Sequence, residues 1–298
     1  MTGQLPSQDS SDELGAVERA VIDHLFVIAP SYAVFLGLHE YDGRLPDLSV
    51  AATDRWVAAA HGLLKRLQEL PGDRLSRNRS ADRLLLELLL ESPLFDLQES
   101  RDYERNPMAY IGTISLTPYI ARNYAPIEAR AHAMIASLRG VPQLLQEAKR
   151  RLAAPLPEPF LELTLAMAGG LPSHFADAER AARAGALELG DQVADARQEA
   201  ERALTAFIDW LRAEHLPKAT PDFALGAPKF QKLLWVREGI RTPYGEILER
   251  GRADLAQNQA RLSEIASAQK PPLPVTELLE SLYRDHPSAA ELLPHART

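Results

Sequence analysis

The protein has 298 residues, of which 46% are apolar, a formal net charge of −8 and no cysteine. The lack of cysteine excludes disulfides, thiolate metal sites and a cysteine nucleophile, and the length suffices for one large domain or two smaller ones. Residues 1–150 hold 20 acidic and 16 basic side chains, and residues 151–298 hold 21 and 17. Neither half is basic, so we expect no nucleic-acid partner.

The N-terminal sequence MTGQLPSQDSSDELG lacks the basic start and the apolar run of a secretory signal. No later stretch stays apolar for the roughly 20 residues that a membrane-spanning helix needs. We therefore expect a cytoplasmic protein with no membrane partner. We expect residues 1–10 to form a disordered tail and residues 11–298 to form a helical domain, with a sub-division near residue 155.

Apolar residues at spacings of three and four predict helices along nearly the whole chain. The first predicted helix runs to Pro30, and this proline can open the next helix. Ser49 is the predicted N-cap of a helix that ends at Pro71. Ser80 is predicted to start a helix whose apolar residues cover most of its circumference, so we expect that helix to be central and buried.

Three prolines between Asn106 and Pro126 predict short helices and corners. Further helices are predicted at 127–139, 142–153, 158–170, 172–189, 191–215, 226–238, 243–268, 275–284 and 288–296. Period-two strands are rare, and no fixed repeat period occurs. The predicted fold class is therefore all-α, a multi-helix array in which most helices are antiparallel.

The spacing of histidines and carboxylates matches none of the common catalytic or metal-binding motifs. No two of the eight histidines are four residues apart, which excludes an HExxH zinc helix, and no Glu lies three residues before a His. DDxxD, a phosphate-binding loop and GxSxG are also absent. Glu128 and His132 share one helix face, which is typical of a surface pair. We predict no catalytic residue and no metal ligand.

Two polar segments stand out as candidate binding regions, GLHEYDGRLPDLS (37–49) and YIARNYAP (119–126). Their ionisable and hydrogen-bonding side chains can converge to hold a carboxylate or an oxyanion. The candidate substrate-binding residues are Tyr41, Asp42, Arg44, Arg122, Asn123 and Tyr124. The same residues are also typical of a hydrogen-bonded corner and of caps on the carbonyls at a helix end.

These segments belong to a series of phrases that resembles the bacterial family called domain of unknown function 885. The phrases are PSYAVFLGLHEYDGRLPDLS (30–49), RDYERNPMAYIG (101–112), RNYAPIEAR (122–130), PLPEPFLELTLAMAGGL (155–171), TPDFALGAPKFQKLL (220–234), ILERGRADLAQNQARL (247–262) and DHPSAAELLPHAR (285–297). Together they span nearly the whole chain. Several phrases in the same order are far more specific than any one of them.

The resemblance implies a fold similar to that of helical zinc metallopeptidases of the carboxypeptidase Taq and angiotensin-converting-enzyme type. Members of the family are longer than this chain, and their zinc motif, of the form HEAYPGHH, lies beyond the point where this sequence stops. No residue here matches that motif. The resemblance thus implies an N-terminal helical half, with zinc expected only in the C-terminal half.

Three hypotheses follow for function. In the first, the chain is the N-terminal half of a zinc-hydrolase-like protein, is inactive alone, and forms a wall or lid of a peptide-binding groove. In the second, it is a free-standing helical binding or scaffold protein, which can pair with a separate zinc-bearing chain. In the third, it is an enzyme with unrecognised chemistry near Asp42 and Arg122. A half-protein should expose a large apolar face, through which it could also form a homo-oligomer.

Overall fold

The computed structural model of the protein describes residues 8–71 and 75–297. Over these residues the chain is helical and has no strand, only an isolated bridge between Pro157 and Thr220, which confirms the all-α fold class. The helices are α1 (Gln8–Ile28), α2 (Pro30–Phe35), α3 (Val50–Glu69), α4 (Arg77–Phe95), α5 (Asp102–Arg105), α6 (Met108–Ile111), α7 (Thr117–Ala121), α8 (Ile127–Arg151), α9 (Glu158–Gly185), α10 (Leu187–Trp210), α11 (Ala227–Glu238), α12 (Tyr244–Ser267), α13 (Val275–Arg284) and α14 (Leu292–Ala296). None of these described helices is long and apolar enough to cross a membrane.

The chain divides into two compact units, one up to Ile240 and one from Arg241 onwards. Most of the predicted N-terminal tail, residues 1–7, lies outside the described residues, and α1 begins at Gln8. The sub-division expected near residue 155 stays a prediction.

In the first unit, α1, α3 and α4 pack around one cluster of buried apolar side chains, among them Val21, Leu67 and Leu90. A reciprocal pair of hydrogen bonds joins α1 to α3: His24 Nε2 lies 3.0 Å from the carbonyl oxygen of Trp56, and Trp56 Nε1 donates to the carbonyl oxygen of His24 at 2.9 Å. Their rings also stack, with centroids 4.6 Å apart. The contact fixes how α3 lies against α1.

A second and larger core of the same unit lies between α8, α9 and α10, with the short helices α6 and α7 packed against it. Small buried residues such as Ala131 and Ala200 let the helices approach closely, and large ones such as Met134 and Phe207 fill the space between them. Helix α8 is the centre of this core, because eleven of its residues are buried.

Helix α4 differs from its prediction in both start and position. Ser76 is its N-cap and accepts a hydrogen bond from the backbone N–H of Arg79 at 3.3 Å, so the predicted start at Ser80 is wrong. The helix is not central either: Leu86 is buried, but Leu85 is 59% exposed. Helices α1 and α3 pack against one side of α4, and α11 also packs against it; apolar residues of α4 that these helices leave exposed line a surface groove.

Two prolines that were expected to separate helices lie inside continuous ones. Helix α8 runs through Pro142, and α9 runs through Pro172, so each replaces two predicted helices. A proline inside a helix costs about 3 kcal/mol. Val141 and Leu144 on either side of Pro142 are buried in the core, and this burial offsets the cost.

The second unit, from Arg241 onwards, contains α12, α13 and α14 and has almost no core of its own. Among its described residues only Ala266 and Leu278 are buried. Every residue of α12 from Tyr244 to Arg261 is exposed. The apolar side chains of this unit therefore remain largely uncovered within it.

Candidate binding site

The first polar segment is a tight turn that follows α2 and is pressed against α8. Gly37 and Gly43 adopt positive φ angles of 94° and 76°, and a 3₁₀ turn, His39–Tyr41, lies between them. A Cβ atom at Gly43 would lie 2.7 Å from Cβ of Ala136, so only glycine fits there. The backbone N–H of Gly43 donates to the Tyr119 hydroxyl at 2.9 Å, which ties the turn to α7.

The second polar segment, residues 122–126, joins α7 to α8 and is held by a buried arginine. The Arg130 guanidinium, in a residue 8% exposed, donates to the carbonyl oxygens of Tyr119 at 2.8 Å and Ala125 at 3.1 Å. The first bond satisfies a carbonyl in the last turn of α7 that the helix itself leaves without a partner, and the second holds the loop that follows. The sequence suggests that Arg122, Asn123 and Tyr124 cap carbonyls at a helix end. In the structure, Arg130 performs part of this capping.

The two segments meet at Asp42. The Tyr124 hydroxyl donates to Asp42 Oδ2 at 2.7 Å, and His39 Nδ1 lies 3.2 Å from Asp42 Oδ1. The rings of His39 and Tyr124 stack face to face, with centroids 3.6 Å apart and an interplanar angle of 3°. Asp42 therefore holds a histidine and a tyrosine in fixed orientations, and its own side chain is only 20% exposed.

Arg122 ties the second segment to the end of α2. Its Nη1 donates to the carbonyl oxygen of Phe35 at 2.6 Å, and its guanidinium lies over the Phe35 ring, 4.8 Å from the centroid. Asn123 is exposed on the same loop. Arg122 is thus held at the end of α2 while its side chain still faces solvent.

Tyr41 and Arg44 pair with each other. The Arg44 guanidinium lies 5.2 Å from the centroid of the Tyr41 ring, and that ring makes an edge contact with Phe26 of α1 at 5.4 Å. Of the six predicted residues, the structure therefore brings two pairs together, Tyr41 with Arg44 and Asp42 with Tyr124.

Burial raises the pKa of Tyr124 well above its usual value, and the hydrogen bond to Asp42 and the negative charge of Asp42 raise it further. Burial also raises the pKa of Tyr119, whose hydroxyl lies on the other side of the turn. Both hydroxyls therefore keep their protons at neutral pH. Tyr124 acts as a hydrogen-bond donor to Asp42 and holds its ring against His39.

Three further residues complete this region: His39, Phe35 and Arg130. None of them is among the predicted binding residues. His39 could have been found, because it lies three residues before Asp42 in one turn and offers a donor to that carboxylate. Nothing in the pattern around Phe35 or Arg130 predicts their contacts, since both reach across to other segments.

The described residues do not fit a zinc ion, because they include no group of three or more His, Asp or Glu side chains close enough to hold a metal. The Glu128 and His132 pair is a local one: His132 Nδ1 lies 2.8 Å from the backbone carbonyl oxygen of Glu128.

A largely apolar groove begins at Tyr32, although Arg122 and Phe35 do not line it. Phe35 stacks on Tyr32 with ring centroids 6.5 Å apart, and Tyr32 lines a groove of about 670 Å³ between α2, α4 and the end of α11. Leu85 and Leu89 of α4 lie in the same groove and are partly exposed. A volume of this size suits a small ligand or a few peptide side chains.

Comparison with known proteins gives a fold and a family. No curated protein matches the chain. A solved structure from Shewanella oneidensis, named as a putative lipoprotein of unknown function, is similar with a TM-score of 0.78 at 19% sequence identity. The match covers 95% of this chain and 55% of that one, so the chain spans little more than half the length of this relative. Residues 30–298 match the model of a family described as bacterial protein of unknown function (DUF885), and the chain belongs to that family.

Proposed function

We propose that this chain is the helical, substrate-binding half of a larger hydrolase-like protein of the helical zinc-metallopeptidase type. In this proposal the chain supplies one wall of a peptide-binding groove and is not catalytic alone. A further helical polypeptide, either continuous with this chain or separate, supplies the zinc chemistry that the sequence resemblance implies.

The observation that carries the proposal is the near absence of a core in the unit from Arg241 onwards. Its described residues bury only Ala266 and Leu278, whereas Leu248 and Leu255 of α12 are 48% and 58% exposed. In α13 the apolar residues follow the spacing of an amphipathic helix, yet Leu282 is 58% exposed. Helices in proteins gain most of their stability from packing an apolar face against other parts of the structure. These helices therefore need a covering surface.

The spacing of the leucines along α12, of which Leu248 and Leu255 are exposed, indicates what kind of surface would cover this helix. Leu248, Leu255 and Leu262 recur at intervals of seven residues, which places them along one side of the helix. Such a stripe is complementary to the apolar side of another helix. The structural relative, of which this chain spans 55%, is long enough to hold further helices.

The role of the chain in the groove rests on the contacts between its two polar segments. Asp42, Tyr124 and His39 form one fixed cluster. Arg122 is held against Phe35, whose ring stacks on Tyr32 of the largely apolar groove. Fixed polar groups beside an apolar groove can orient a peptide, and orientation is a large part of what an enzyme supplies. Because the described residues do not fit zinc, we assign no chemical step to them.

The proposal is tested by measuring zinc content and peptide hydrolysis for two preparations. One is this chain alone, and the other is this chain produced together with the polypeptide that the same genome encodes directly after codon 298 or in the neighbouring reading frame. We expect zinc and hydrolysis only in the second preparation, with an HExxGHH motif in the added polypeptide.

As a control, replacing the Glu of that motif by Gln should abolish hydrolysis without separating the two polypeptides. Stoichiometric zinc with turnover in the chain alone would show that the proposal is wrong. The absence of any such coding sequence would instead favour a free-standing binding protein.

A further inference from the structure

Helix α11 packs against α4 with little apolar burial. Among the residues of α11, all of which lie in the described part of the chain, only Val236 is buried, and Leu233 and Leu234 stay partly exposed. By contrast, eleven residues of α8 are buried. The Trp235 indole adds one polar contact to α4, because its Nε1 donates to Glu91 Oε2 at 3.0 Å. Apolar packing alone therefore holds α11 in place only weakly.

Three basic side chains of α11 bind the π-helical turn that directly follows α4. Arg237 Nη2 donates to both carboxylate oxygens of Asp96, at 2.7 and 2.9 Å. Lys232 forms an ion pair with the Glu99 carboxylate, and Lys229 Nζ donates to the carbonyl oxygen of Glu99 at 2.7 Å. These three contacts are called the latch below. They join the whole length of α11 to the turn after α4.

Solvent and salt can reach the latch. The side chains of Lys232 and Arg237 are 50% and 46% exposed, and those of Glu99 and Asp96 are 35% and 27% exposed. Exposed ion pairs stabilise little, and the Debye length, about 10 Å at 0.1 M salt, shortens as salt is added. The latch should therefore weaken as the ionic strength rises.

Glycines with positive φ angles flank α11. Gly226, with a φ angle of 76°, precedes the helix, and a Cβ atom there would meet nothing within 4 Å. Gly239, with a φ angle of 66°, follows the last residue of the helix. Residues 221–224, just before Gly226, are exposed. Hinges are often small residues at the ends of elements, where φ and ψ can change without loss of packing. Both ends of α11 have this character.

We propose that α11 is a hinged strap that opens and closes over α4 while the rest of the first unit stays folded. The latch sets the balance between the closed and the open strap. Val236 and Arg237 line one side of the groove that Leu85 and Leu88 line from α4, so opening of the strap removes one wall of this groove. The inference concerns the first unit alone and does not depend on the proposed function.

The test is the rate at which iodoacetamide labels single cysteines introduced into the full chain. The chain has no cysteine of its own, so the label reports only the introduced thiol. Val236→Cys changes the one buried position of α11. Val193→Cys, in the core of α10, is the matched control, because the two valines are 1% and 0% exposed. Labelling at the first position needs the strap to open, and labelling at the second needs the core to open.

We expect Val236→Cys to be labelled at least about tenfold faster than Val193→Cys in 0.05 M potassium chloride. In 0.5 M potassium chloride its labelling should be about fivefold faster again, because salt screens the latch. Labelling of Val193→Cys should change by less than about twofold, since the core of α10 contains no part of the latch.

Two variants of the Val236→Cys protein identify the latch. Arg237→Gln should speed labelling about tenfold, because the bidentate pair with Asp96 is lost. Arg202→Gln removes the same charge from α10, where Arg202 is exposed and donates to the carbonyl oxygen of Gln198 in its own helix. It should change the rate by less than about twofold.

Equal labelling of the two valine variants, no acceleration by salt, or equal effects of Arg237→Gln and Arg202→Gln would each overturn the inference. The salt series leaves the latch residues unchanged, so it decides the matter even if Arg237→Gln does not fold.

Discussion

Arg151, at the end of α8, joins three elements of the first unit through a nearly buried side chain that is 6% exposed. Its guanidinium donates to the carbonyl oxygen of Leu48 at 2.8 Å, to the Thr53 hydroxyl at 3.1 Å and to Glu104 Oε1 at 3.0 Å. One guanidinium therefore holds together the start of α3, helix α5 and the end of α8. Removing it would leave several buried acceptors without a donor.

We predict that Arg151→Met lowers the free energy of unfolding by about 2–3 kcal/mol, a value reduced from that of a fully buried pair because the Glu104 side chain is 24% exposed. The matched control is Arg150→Met, since Arg150 is exposed and pairs with Glu147 one turn away. Its effect should stay within about 0.5 kcal/mol. Urea unfolding measures both, and equal effects would contradict the role of Arg151.

Buried tyrosines predict a loss of stability at alkaline pH. Burial raises the pKa of Tyr103 to about 12, and it also raises the pKa values of Tyr110, Tyr119 and Tyr124. An unfolded tyrosine titrates near pH 10, so above that pH the unfolded chain has lost protons that the native chain still holds. The stabilisation is complete below pH 10 and is lost as pH rises through the native pKa values.

The free energy of unfolding should thus fall between about pH 10 and pH 12, by up to about 1.4 kcal/mol per pH unit for each such tyrosine. Tyr103→Phe should make the fall less steep. Urea unfolding at several pH values measures it, and a constant free energy of unfolding over this range would contradict the prediction.

At the candidate site, the sequence could predict which polar residues stand out but not how they pair. Asp42 and Tyr124 were both candidates, and they touch although 82 positions separate them. That contact depends on how α7 and α8 pack against the turn at Gly43, which local spacing does not determine. The binding roles of all six candidate residues stay predictions.

Most helices were predictable because apolar spacing and caps are local signals. Ser49 is the N-cap of α3, as predicted, and accepts from the backbone N–H of Ala52 at 3.3 Å. Helix α13 has the predicted bounds. The predicted helix breaks at Pro142 and Pro172 are wrong, because packing of the whole helix outweighs the local penalty for proline.

The position of α4 was not predictable from its composition. An apolar helix surface predicts burial on all sides, but it does not say whether the covering comes from this part of the chain or from a ligand or partner. In the structure Leu86 and Leu90 face the core, and Leu85 and Leu89 line the groove beside Tyr32.

The exposure of apolar residues on α12 can be tested in the isolated chain. We predict that replacing Leu248 and Leu255 by Lys reduces fluorescence of the dye 8-anilinonaphthalene-1-sulfonate and reduces self-association, because both leucines are exposed. The melting temperature should hardly change, since exposed side chains contribute little to stability.

The control adds the same charge elsewhere on α12, with Gln257→Lys and Gln259→Lys, and should leave dye binding unchanged. A large fall in melting temperature for the leucine variant alone would indicate that Leu248 and Leu255 are buried in solution, contrary to the structure.

For the whole molecule, the structure confirms the all-α class, and the family match over residues 30–298 establishes membership of the family. The sequence predicted a cytoplasmic protein, and that stays a prediction. The similar structure from Shewanella oneidensis shares the fold at 19% identity, and this chain spans 55% of it.

Amide hydrogen exchange tests this account most directly. It is measured on this chain alone and on the chain produced with the further polypeptide carrying HExxGHH. We predict that exchange over α12 slows at least about tenfold in the second preparation, because docking covers the helix, and that exchange over the buried helix α8 does not change. Identical exchange over α12 in both preparations would contradict the claim that this unit docks on a further polypeptide.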